Sequence, residues 1–486
     1  MLASSSCASP DEAKRSNILS SARRKGYNIY SKLPPVVKEN ISRLIGLLPP
    51  RYIYGRHFLS TLKSIRDTEY LSRKELDRIQ EDRLRITLLN AYRNTEYYNR
   101  EMAARRIGEE MIVKSPLVAL RLMGFTDKRK IADNLQSFLS RQMHRIPHDY
   151  TSTGGTLGEP FYFYMDSDRS SQEWAFMVDQ WSRVGFSLKS RRATFRGSRI
   201  DGKGWEDDWI TRERKFSSFE LTDDYLKRVW PLLHEFRPNY IYAYPSTALH
   251  IARFMEKSGR DFPQSVKGIL LGSENIYQGQ KLYIEQLTRR RVFLWYGHSE
   301  KLVLAGFCEK TDNYHAYPQY GYVEFINEKG ENAKFGEFAE IVGTGFINTV
   351  LPFIRYRTGD YCTYLGGSCP ECGRNYYVFS SVSGRWTQEV LYGRHGNPIP
   401  MSAINLHSDV FQNVFRFQFY QEKKGEAILR LVPKAGFTED DRAKIENEIN
   451  RKFNGSVVVI TRTVDNIPLT ERGKYKFIDQ QLEMGS

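Results

Sequence analysis

A glycine- and hydroxyl-rich segment is the first part of the sequence whose residue types point to chemistry. Residues 150–160 (YTSTGGTLGEP) lie between an extended stretch and the strand-like run 161–165. Glycines let the backbone bend close to an anion, and exposed N–H and hydroxyl groups then surround phosphate oxygens. The segment is therefore a candidate phosphate loop, with an ordinary turn as the alternative. It is not the P-loop of nucleotide hydrolases, because no Gly-Lys-Ser/Thr follows it.

Residues 296–300 (YGHSE) directly follow the apolar, strand-like run 292–295. Ligands of α/β proteins bind at the carboxyl ends of strands. A glutamate there, Glu300, can hold Mg²⁺ on a triphosphate, and Tyr296 can stack on a nucleotide base. A surface loop explains this segment equally well when it is taken alone.

Two further loops carry residues of similar chemistry. In 355–360 (RYRTGD), Asp360 on a tight turn could accept hydrogen bonds from both hydroxyls of a ribose, although Gly-Asp turns also form for local reasons. In 468–474 (PLTERGK), Lys474 on a glycine-bearing loop can approach a developing negative charge, with a solvated surface lysine as the alternative. These loops add a ribose-binding and a charge-stabilising candidate.

The cysteines indicate a separate site. Cys369 and Cys372 form a C-x₂-C knuckle, and Cys308 and His315 lie on one earlier loop. Three thiolates and an imidazole are ligands that Zn²⁺ takes in tetrahedral structural sites. The set therefore predicts a structural zinc site that joins two loops, with a redox pair or unpaired thiols as alternatives. Cys362 is a competing fourth ligand.

The elements that position these residues follow from the hydrophobic periodicity. Residues 1–145 are predicted to be mainly helical, because 70–98 carries Leu and Ile at three-to-four spacing among charges. We expect this part to pack on an α/β catalytic core of residues 146–385. In that core, strands and helices alternate as in βαβ units around a mostly parallel sheet, at the following positions: strands 240–244, 268–271 and 292–295, helices 247–257 and 279–289.

The last hundred or so residues have a different texture and predict a small α+β domain of residues 386–486. The expected elements are strands 415–420, 427–432 and 457–461, a helix at 440–453 and a glycine-containing loop near the end.

Bulk properties restrict the class of protein. The 486 residues are 40% hydrophobic and 27% charged, which excludes a disordered chain. The net charge of +15 favours anionic partners, yet it is dispersed, so nucleic-acid binding is not predicted. The sequence contains no run of about 18 apolar residues, so it predicts no transmembrane helix. Residues 1–15 lack the apolar core of a secretory signal, and five cysteines do not suit a disulfide scaffold, so we expect a cytoplasmic protein, peripheral at most to the inner membrane face.

The four loops, in this order and with residues 272–274 (GSE) before Tyr296, resemble the motifs of the adenylate-forming superfamily of acyl-CoA synthetases, adenylation domains and luciferases. The branch that the chain resembles is the phenylacetate–CoA ligase-like group, including its members associated with capsular polysaccharide synthesis. The resemblance covers residues 146–480. It implies a large multi-layer N-terminal domain with a small mobile C-terminal lid, and the use of ATP and Mg²⁺.

The resemblance also implies a role for each matching position. Phosphate binding falls to Thr153, Gly154, Gly155, Thr156 and Gly158. The residues implied for the adenine pocket and the segments beside it are Gly272, Ser273, Glu274, Tyr296, Gly297 and Ser299. The remaining roles are Asp360 for the ribose, Arg385 for ribose or phosphate, Glu300 for magnesium and Lys474 for the charge that develops as the carboxylate attacks the α-phosphate.

Other residues near these motifs have less specific roles. His298 is a candidate contact of the acyl substrate or a candidate base, although most loop histidines are neither. Trp174, Trp181 and Trp205 could wall an acceptor pocket, but core packing is the simpler interpretation.

Several positions depart from the family pattern. Gly154 and Leu157 stand where hydroxyl residues are usual, Glu159 where Lys is frequent, and Thr387 where the hinge aspartate is typical. The bend and the final proline of the loop remain, so the phosphate role is kept. The missing hinge aspartate bears on the second half-reaction, because that residue marks the pivot of the domain rotation.

The sequence thus predicts an ATP-dependent ligase that activates a small-molecule carboxylate as acyl-AMP. An amine acceptor, joined for instance to a sugar acid of a surface glycan, is our first interpretation, with an anionic glycan or a nucleotide sugar as the partner. A CoA thiol, giving an acyl- or aryl-CoA ligase, is the alternative. A non-catalytic nucleotide-binding homologue is the second alternative, which the presence of Glu300 and Lys474 disfavours.

Overall fold

A computed structural model of the chain describes residues 35–46, 48–153, 161–197, 200, 204–274, 276, 278–383, 390–400, 409–468 and 477–482. The N-terminal part is helical, as predicted. Its helices are α1 (Pro35–Gly46), α2 (Pro50–Tyr54), α3 (Arg56–Asp67), α4 (Arg73–Asn94), α5 (Glu96–Ala104), α6 (Glu109–Lys114), α7 (Pro116–Leu122), α8 (Lys128–Asp133) and α9 (Leu135–Phe138).

The predicted helical stretch 70–98 is two helices that meet at Thr95. Helix α4 begins with a capping box. The Ser72 hydroxyl accepts a hydrogen bond from the Glu75 backbone N–H, and the Glu75 carboxylate accepts one from the Ser72 backbone N–H. Thr95 has the extended angles φ −119° and ψ 142°, and its side chain accepts a hydrogen bond from the Tyr98 backbone N–H. Thr95 therefore ends α4 and caps α5, which turns the chain.

The helical layer packs on the sheet through long-range hydrogen bonds. The Arg73 Nη1 donates to the Asn375 carbonyl at 2.8 Å, and the buried Gln80 side chain donates to the Gly321 carbonyl at 3.1 Å. The Tyr98 hydroxyl accepts from the Ile354 backbone N–H at 3.1 Å. The N-terminal helices thus share one hydrophobic core with the sheet.

A hairpin and a long mixed sheet form the centre of the molecule. Strands β1 (His148–Thr153) and β2 (Phe161–Asp166) pair antiparallel and flank the candidate phosphate loop. The sheet comprises β3 (Arg192–Phe195), β4 (Trp205–Asp208), β5 (Glu213–Phe216), β6 (Tyr240–Ala243), β7 (Gly268–Leu271), β8 (Arg291–Gly297), β9 (Leu304–Phe307), β10 (Tyr314–Ala316), β11 (Gly321–Ile326), β12 (Phe338–Gly345), β13 (Tyr356–Tyr364) and β14 (Tyr377–Ser383). The order across it is β11-β12-β13-β14-β10-β9-β8-β7-β6-β3-β5-β4.

The parallel part of this sheet matches the predicted alternation of strands and helices. Strands β5, β3, β6, β7 and β8 are parallel neighbours. The intervening helices are α10 (Arg169–Ser182), α11 (Asp223–Phe236), α12 (Pro245–Ser258) and α13 (Gln278–Thr288). Strands β6 and β7 are buried at most positions, which explains their continuous apolar sequence.

The other part of the sheet is antiparallel, so the prediction of a mostly parallel sheet is wrong in this respect. From β8 through β9, β10, β14, β13, β12 to β11, every neighbouring pair is antiparallel. The local pattern could not reveal this, because β10 pairs with β14, a strand about sixty residues later in the chain.

The C-terminal part forms a small α+β unit. A short hairpin of β15 (Val390–Tyr392) and β16 (Pro398–Pro400) precedes the sheet β19-β18-β17-β20, in which β17 is Val414–Gln421, β18 Glu426–Pro433, β19 Val458–Thr463 and β20 Ile478–Gln480. Helix α14 (Glu439–Phe453) packs its Ile445, Ile449 and Phe453 on this sheet. The ring of Phe453 meets Phe219 edge-on at 6.3 Å, which joins the unit to the preceding domain.

Candidate functional site

Four parallel strands end at one edge of the sheet and bring chemically active residues together. Arg196 follows β3, Tyr244 follows β6, Gly272 and Ser273 follow β7, and His298 follows β8. Because these strands are neighbours in parallel register, their carboxyl ends lie side by side. This is the edge at which ligands of open α/β sheets bind.

The 296–300 and 355–360 segments are joined by two hydrogen bonds. The Tyr296 hydroxyl donates to Asp360 Oδ2 at 2.9 Å, and the Tyr356 hydroxyl donates to Glu300 Oε1 at 2.9 Å. Burial and the Asp360 charge raise the pKa of Tyr296 well above its ordinary value. The two motifs, about sixty residues apart in sequence, thus form one surface.

Asp360 does not lie on a tight turn, so that part of the prediction is wrong. It belongs to β13, at a point where the pairing register with β12 shifts. Gly359 has a φ of 69°, and its N–H donates to Glu340 Oε1 at 3.0 Å, while the Asp360 N–H bonds the Thr358 hydroxyl at 3.1 Å. The irregularity is a β-bulge, which redirects the aspartate toward Tyr296.

Glu300 is a buried carboxyl group immediately after the edge. Only 8% of the residue is exposed, and burial raises its pKa above the ordinary value. The following residue, Lys301, has a φ of 58° and forms an ion pair of 2.7 Å with Glu173. The neighbouring cation, Lys301, is thus already paired with another carboxylate. Ionising the Glu300 carboxyl to bind a metal ion therefore carries a desolvation cost.

The 272–274 segment is shaped by close packing. A Cβ on Gly272 would lie 2.2 Å from the Trp295 indole nitrogen, so only glycine fits there. Ser273 has a φ of 70°, which is strained for a residue with a side chain, and its hydroxyl accepts from Arg196 Nη2 at 2.6 Å. Glu274 Oε2 accepts from the Ser246 N–H at 3.0 Å, at the start of α12.

His298 lies at the end of β8 with a buried imidazole. In the described part of the chain, neither ring nitrogen has a hydrogen-bonding partner. Burial, and secondarily the Lys301 charge, lower the pKa of His298 to about 3, so the ring is neutral near pH 7. A Cβ on the preceding residue, Gly297, would lie 3.0 Å from a Leu304 methyl group and 3.1 Å from the Trp295 ring. The following residue, Ser299, is half-buried.

Sequence reasoning missed an aromatic and guanidinium cluster at the same edge. The Arg196 guanidinium lies 4.4 Å from the Tyr242 ring centroid, 4.5 Å from that of Tyr244 and 6.0 Å from that of Trp295. No motif marks Arg196; the available signal is an arginine that directly ends the apolar run of β3.

The three tryptophans singled out in the sequence are packing residues. Trp181 is fully buried and meets Trp174 edge-on at 5.6 Å, and both rings lie near the buried Arg192. The ring of Trp205 covers the Arg214 guanidinium at 4.1 Å.

The predicted zinc ligands come together. One ligand atom of each of Cys308, His315, Cys369 and Cys372 lies within 4.8 Å of every other, and Cys362 is not in the group. The Cys369 loop closes through a Gly373 N–H bond to the Cys369 carbonyl at 2.9 Å. This donor set, with its sulfurs and nitrogen converging, fits the ligands of tetrahedral zinc.

Some predicted site residues lie outside the described residues: Gly154, Gly155, Thr156, Gly158, Arg385 and Lys474. The departures at Leu157, Glu159 and Thr387 do so as well. The backbone of Thr153 ends β1, next to the loop. In the part of the chain that the structure describes, no helix is long and apolar enough to cross a membrane.

Comparison with known proteins gives the class. A family model described as the CapK C-terminal domain matches residues 391–481. Phenylacetate-coenzyme A ligase of Escherichia coli (strain K12) is 26% identical over 341 residues, which cover 68% of this chain and 76% of that ligase. Protein CapK of Staphylococcus aureus is 20% identical over 459 residues, 92% of this chain and 98% of CapK.

A solved structure shares the fold. It is that of 2-hydroxyisobutyryl-CoA ligase in complex with 2-HIB-AMP and CoA in the thioesterification state. Its TM-score is 0.54 at 17% identity, over 85% of this chain and 91% of that ligase. In sequence the chain is thus phenylacetate-CoA ligase-like and CapK-like, that is, similar to the adenylate-forming ligases. Its fold is that of an acyl-CoA ligase.

Proposed function

We propose that the protein activates a small-molecule carboxylate with ATP and transfers the acyl group to an amine. In the first step a carboxylate oxygen attacks the α-phosphorus, and the bond to the β-phosphate oxygen breaks, so that acyl-AMP and pyrophosphate form. In the second, the amine nitrogen attacks the acyl carbon, the bond to AMP breaks, and the amine loses a proton to solvent or to a base. Both steps balance without a further reactant.

The observation that carries the adenylation proposal is the pair of hydrogen bonds Tyr296–Asp360 and Glu300–Tyr356. They bring the candidate base-stacking ring, ribose acceptor and magnesium ligand to one edge of the sheet. In the proposal Tyr296, Gly272 and Ser273 flank the adenine, while Asp360 accepts hydrogen bonds from the ribose hydroxyls. Magnesium on the phosphates would neutralise charge as pyrophosphate leaves, and Glu300 would be its protein ligand.

The phosphate loop, Arg385 and Lys474 complete the proposal on the strength of the sequence motifs; apart from Thr153, these residues lie outside the described ranges. Residues 153–158 would donate to the β- and γ-phosphates, and Arg385 would contact ribose or phosphate. Lys474 would stabilise the negative charge that grows on the α-phosphate oxygens during attack.

One observation favours an amine acceptor: Thr387 replaces the usual hinge aspartate. The CapK relative, which matches nearly the whole chain, is capsule-associated, and a sugar acid as the carboxylate, or a glycan or nucleotide sugar as the partner, is compatible with that association. The second candidate, a CoA acceptor, is favoured by the likeness to phenylacetate-coenzyme A ligase over about two thirds of the chain.

The test is pyrophosphate release with ATP, Mg²⁺ and a panel of aryl, alkyl and sugar acids. We expect acid-dependent release that Lys474→Ala and Glu300→Gln abolish, while both variants stay folded. Adding CoA or amines and identifying the product by mass spectrometry then separates the acceptors. An acyl-CoA product would overturn the amine assignment; ATP binding without release for any acid would favour a non-catalytic nucleotide-binding homologue.

We further propose that Cys308, His315, Cys369 and Cys372 hold one structural Zn²⁺. The support is the convergence of three sulfurs and one imidazole. The Lys310 backbone N–H also lies 3.3 Å from Cys308 Sγ, a contact typical of the second shell around zinc thiolates. His315 lies in strand β10 and not on a loop with Cys308, as the sequence had predicted. The ion would therefore join the β9–β10 hairpin to the loop before β14.

A further inference from the structure

The amino-terminal edge of the parallel strands, opposite the candidate site, is lined with basic residues. An arginine or lysine stands within three residues before each strand: Arg212 before β5, Arg191 before β3, Arg237 before β6, Lys267 before β7 and Arg289 before β8. We call these five residues the basic row. Because the five strands are neighbours in this order, charges that are dispersed along the sequence stand side by side in the fold.

Hydrogen bonds hold the turns that carry the basic row against one another. Each turn donates to a carbonyl of its neighbour. The donor and acceptor pairs, in row order, are the Arg192 N–H with the Arg212 carbonyl (3.0 Å), the Asn239 N–H with the Arg191 carbonyl (2.8 Å), the Lys267 N–H with the Asn239 carbonyl (2.7 Å) and the Arg290 Nε with the Val266 carbonyl (2.5 Å). The row therefore crosses five strands, about 19 Å at the usual strand spacing.

The charges of the basic row are not compensated by neighbouring carboxylates. Within the described ranges, none of its five residues forms an ion pair, and all except the half-buried Arg191 are exposed. Two exposed acids are close to the row in sequence, Glu235, which lies 3.9 Å from Arg214, and Asp261. The edge as a whole thus carries a positive charge that faces solvent.

Buried arginines of the same strands behave differently. Arg192 pairs with Glu213, and Arg214 Nε pairs with Asp207 at 2.7 Å. The sheet thus provides carboxylates for the guanidinium groups that it buries and leaves the exposed row without them.

Local backbone structure does not explain the row. Arg212, Arg237 and Arg289 have φ angles of 56°, 50° and 52°, a conformation that glycine adopts freely and that is unfavourable for a residue with a side chain. The helix dipole favours a cation at Arg237, which caps α11, and at Arg289, which follows α13. It does not act on Arg212, Arg191 or Lys267, which follow no helix directly.

We propose that the basic row binds the surface of an anionic lipid bilayer. A straight row of unpaired cations complements a flat surface of negative headgroups, and each arginine or lysine near such a surface adds to the attraction. Among the described residues of these turns, no large hydrophobic side chain is exposed. Binding is therefore electrostatic, without insertion into the lipid, and it weakens as salt rises.

Nucleic acid is the other common polyanion, and the row fits it less well. Surfaces for single strands add aromatic rings on which the bases stack. The ring beside Arg191, that of Phe236, is buried, with the Arg191 and Arg214 guanidinium groups 4.2 and 4.8 Å from its centroid. The row thus offers charge without a stacking surface.

The position of the row is compatible with catalysis at the other edge. Strands β3, β6 and β7 are each four residues long, so about 13 Å of strand separates the two edges. A bilayer at the row leaves the carboxyl edge, with Arg196 and Ser273, facing away from the lipid and accessible to ATP.

The experiment is sedimentation of the full chain with vesicles of equal parts phosphatidylglycerol and phosphatidylcholine, or of phosphatidylcholine alone, over a series of salt concentrations. The row variant combines Arg212→Asn, Arg237→Asn, Lys267→Gln and Arg289→Asn; asparagine tolerates a positive φ. The control variant removes the same charge from exposed positions elsewhere, by Lys74→Gln, Arg78→Gln, Arg106→Asn and Lys329→Gln. Arg106, with a φ of 56°, matches the backbone of the row arginines.

We expect the wild type to bind only the vesicles with phosphatidylglycerol, at least about 100-fold more tightly than the row variant. The control variant should lose less than about fivefold. Equal losses in both variants, wild-type binding to phosphatidylcholine alone, or no binding to either vesicle would overturn the proposal. So would tighter binding to an oligonucleotide that the row variant loses. Thermal unfolding, and pyrophosphate release without vesicles, should be the same in the row variant as in wild type.

Discussion

The Tyr296 hydroxyl donates a 2.9 Å hydrogen bond to Asp360 Oδ2, across 64 residues of sequence. The tyrosine comes from the last of the parallel strands and the aspartate from a bulge in the antiparallel part. The contact therefore joins the two halves of the sheet at the point where we propose that the nucleoside binds.

Substitutions at Tyr296 and Asp360 should raise the Kd of ATP by different amounts. In Asp360→Asn, the hydrogen bonds from the ribose lose a charged acceptor, so the Kd of ATP should rise about 10- to 100-fold. Tyr296→Phe keeps the ring for stacking and should raise it less than about tenfold. Isothermal titration of both variants and of the double variant measures the coupling; additive effects would mean that the two residues bind ATP independently.

Glu300 predicts opposite pH trends for stability and for activity. Burial raises the pKa of this carboxyl, so the folded state holds a proton that the unfolded state releases. Wild-type stability should therefore fall, relative to Glu300→Gln, as the pH rises from the ordinary glutamate pKa through the raised one. Below that window the difference no longer changes with pH.

Activity should run the other way, because the ionised carboxylate is the form that holds magnesium. Glu300→Gln should lose at least about 100-fold in rate at every pH. Urea unfolding and initial rates between pH 5 and 8.5 test both trends. A variant as active as wild type, or less stable at high pH, would argue against a buried magnesium ligand.

Arg355 of the 355–360 segment has a structural role. Its guanidinium makes two bonds of 3.0 and 2.9 Å to the buried Glu324 and one of 2.7 Å to the Met123 carbonyl. Arg355→Met leaves Glu324 buried and unpaired, which should cost about 3–5 kcal/mol of unfolding free energy.

The control for Arg355 is Lys63→Met, which breaks an exposed ion pair with Asp67 and should cost less than about 1 kcal/mol. Restoring neutrality with Glu324→Gln beside Arg355→Met should recover part of the loss. Chemical denaturation measures all three; equal effects of the arginine and lysine changes would contradict the buried pair.

The zinc proposal predicts about one zinc ion per purified chain. Cys369→Ser should lose the metal and lower the unfolding temperature, because structural zinc contributes to folding. Cys362→Ser, which removes a buried thiol outside the group, should keep the metal. Metal analysis of both variants decides the point: zinc retained in Cys369→Ser, or none in wild type, would refute the site.

Local sequence patterns predicted the helices and strands well wherever the apolar residues repeat with the period of a single helix or strand. The predicted strands 240–244 and 268–271 and the helix 247–257 lie within three residues of β6, β7 and α12. Apolar runs bounded by caps specify such units locally. The convergence of the four zinc ligands could also be predicted, because their chemistry and spacing are specific.

Other features depend on contacts that no local pattern contains. The bulge at Asp360 results from pairing with Glu340 and from the positive φ of Gly359. Arg196 belongs to the site because of where β3 ends relative to β6 and β7, which is a property of the sheet order. The packing of the Trp295 ring on Gly272 likewise depends on the pairing of β7 with β8.

The most direct test of the central claim is acid-dependent exchange of labelled pyrophosphate into ATP, because this reaction reports acyl-AMP formation without any acceptor. The proposal predicts exchange that requires Mg²⁺ and at least one carboxylic acid of the panel, and that is lost in Lys474→Ala. If no acid supports exchange while ATP binding is retained, the protein does not form an adenylate and the proposed function is wrong.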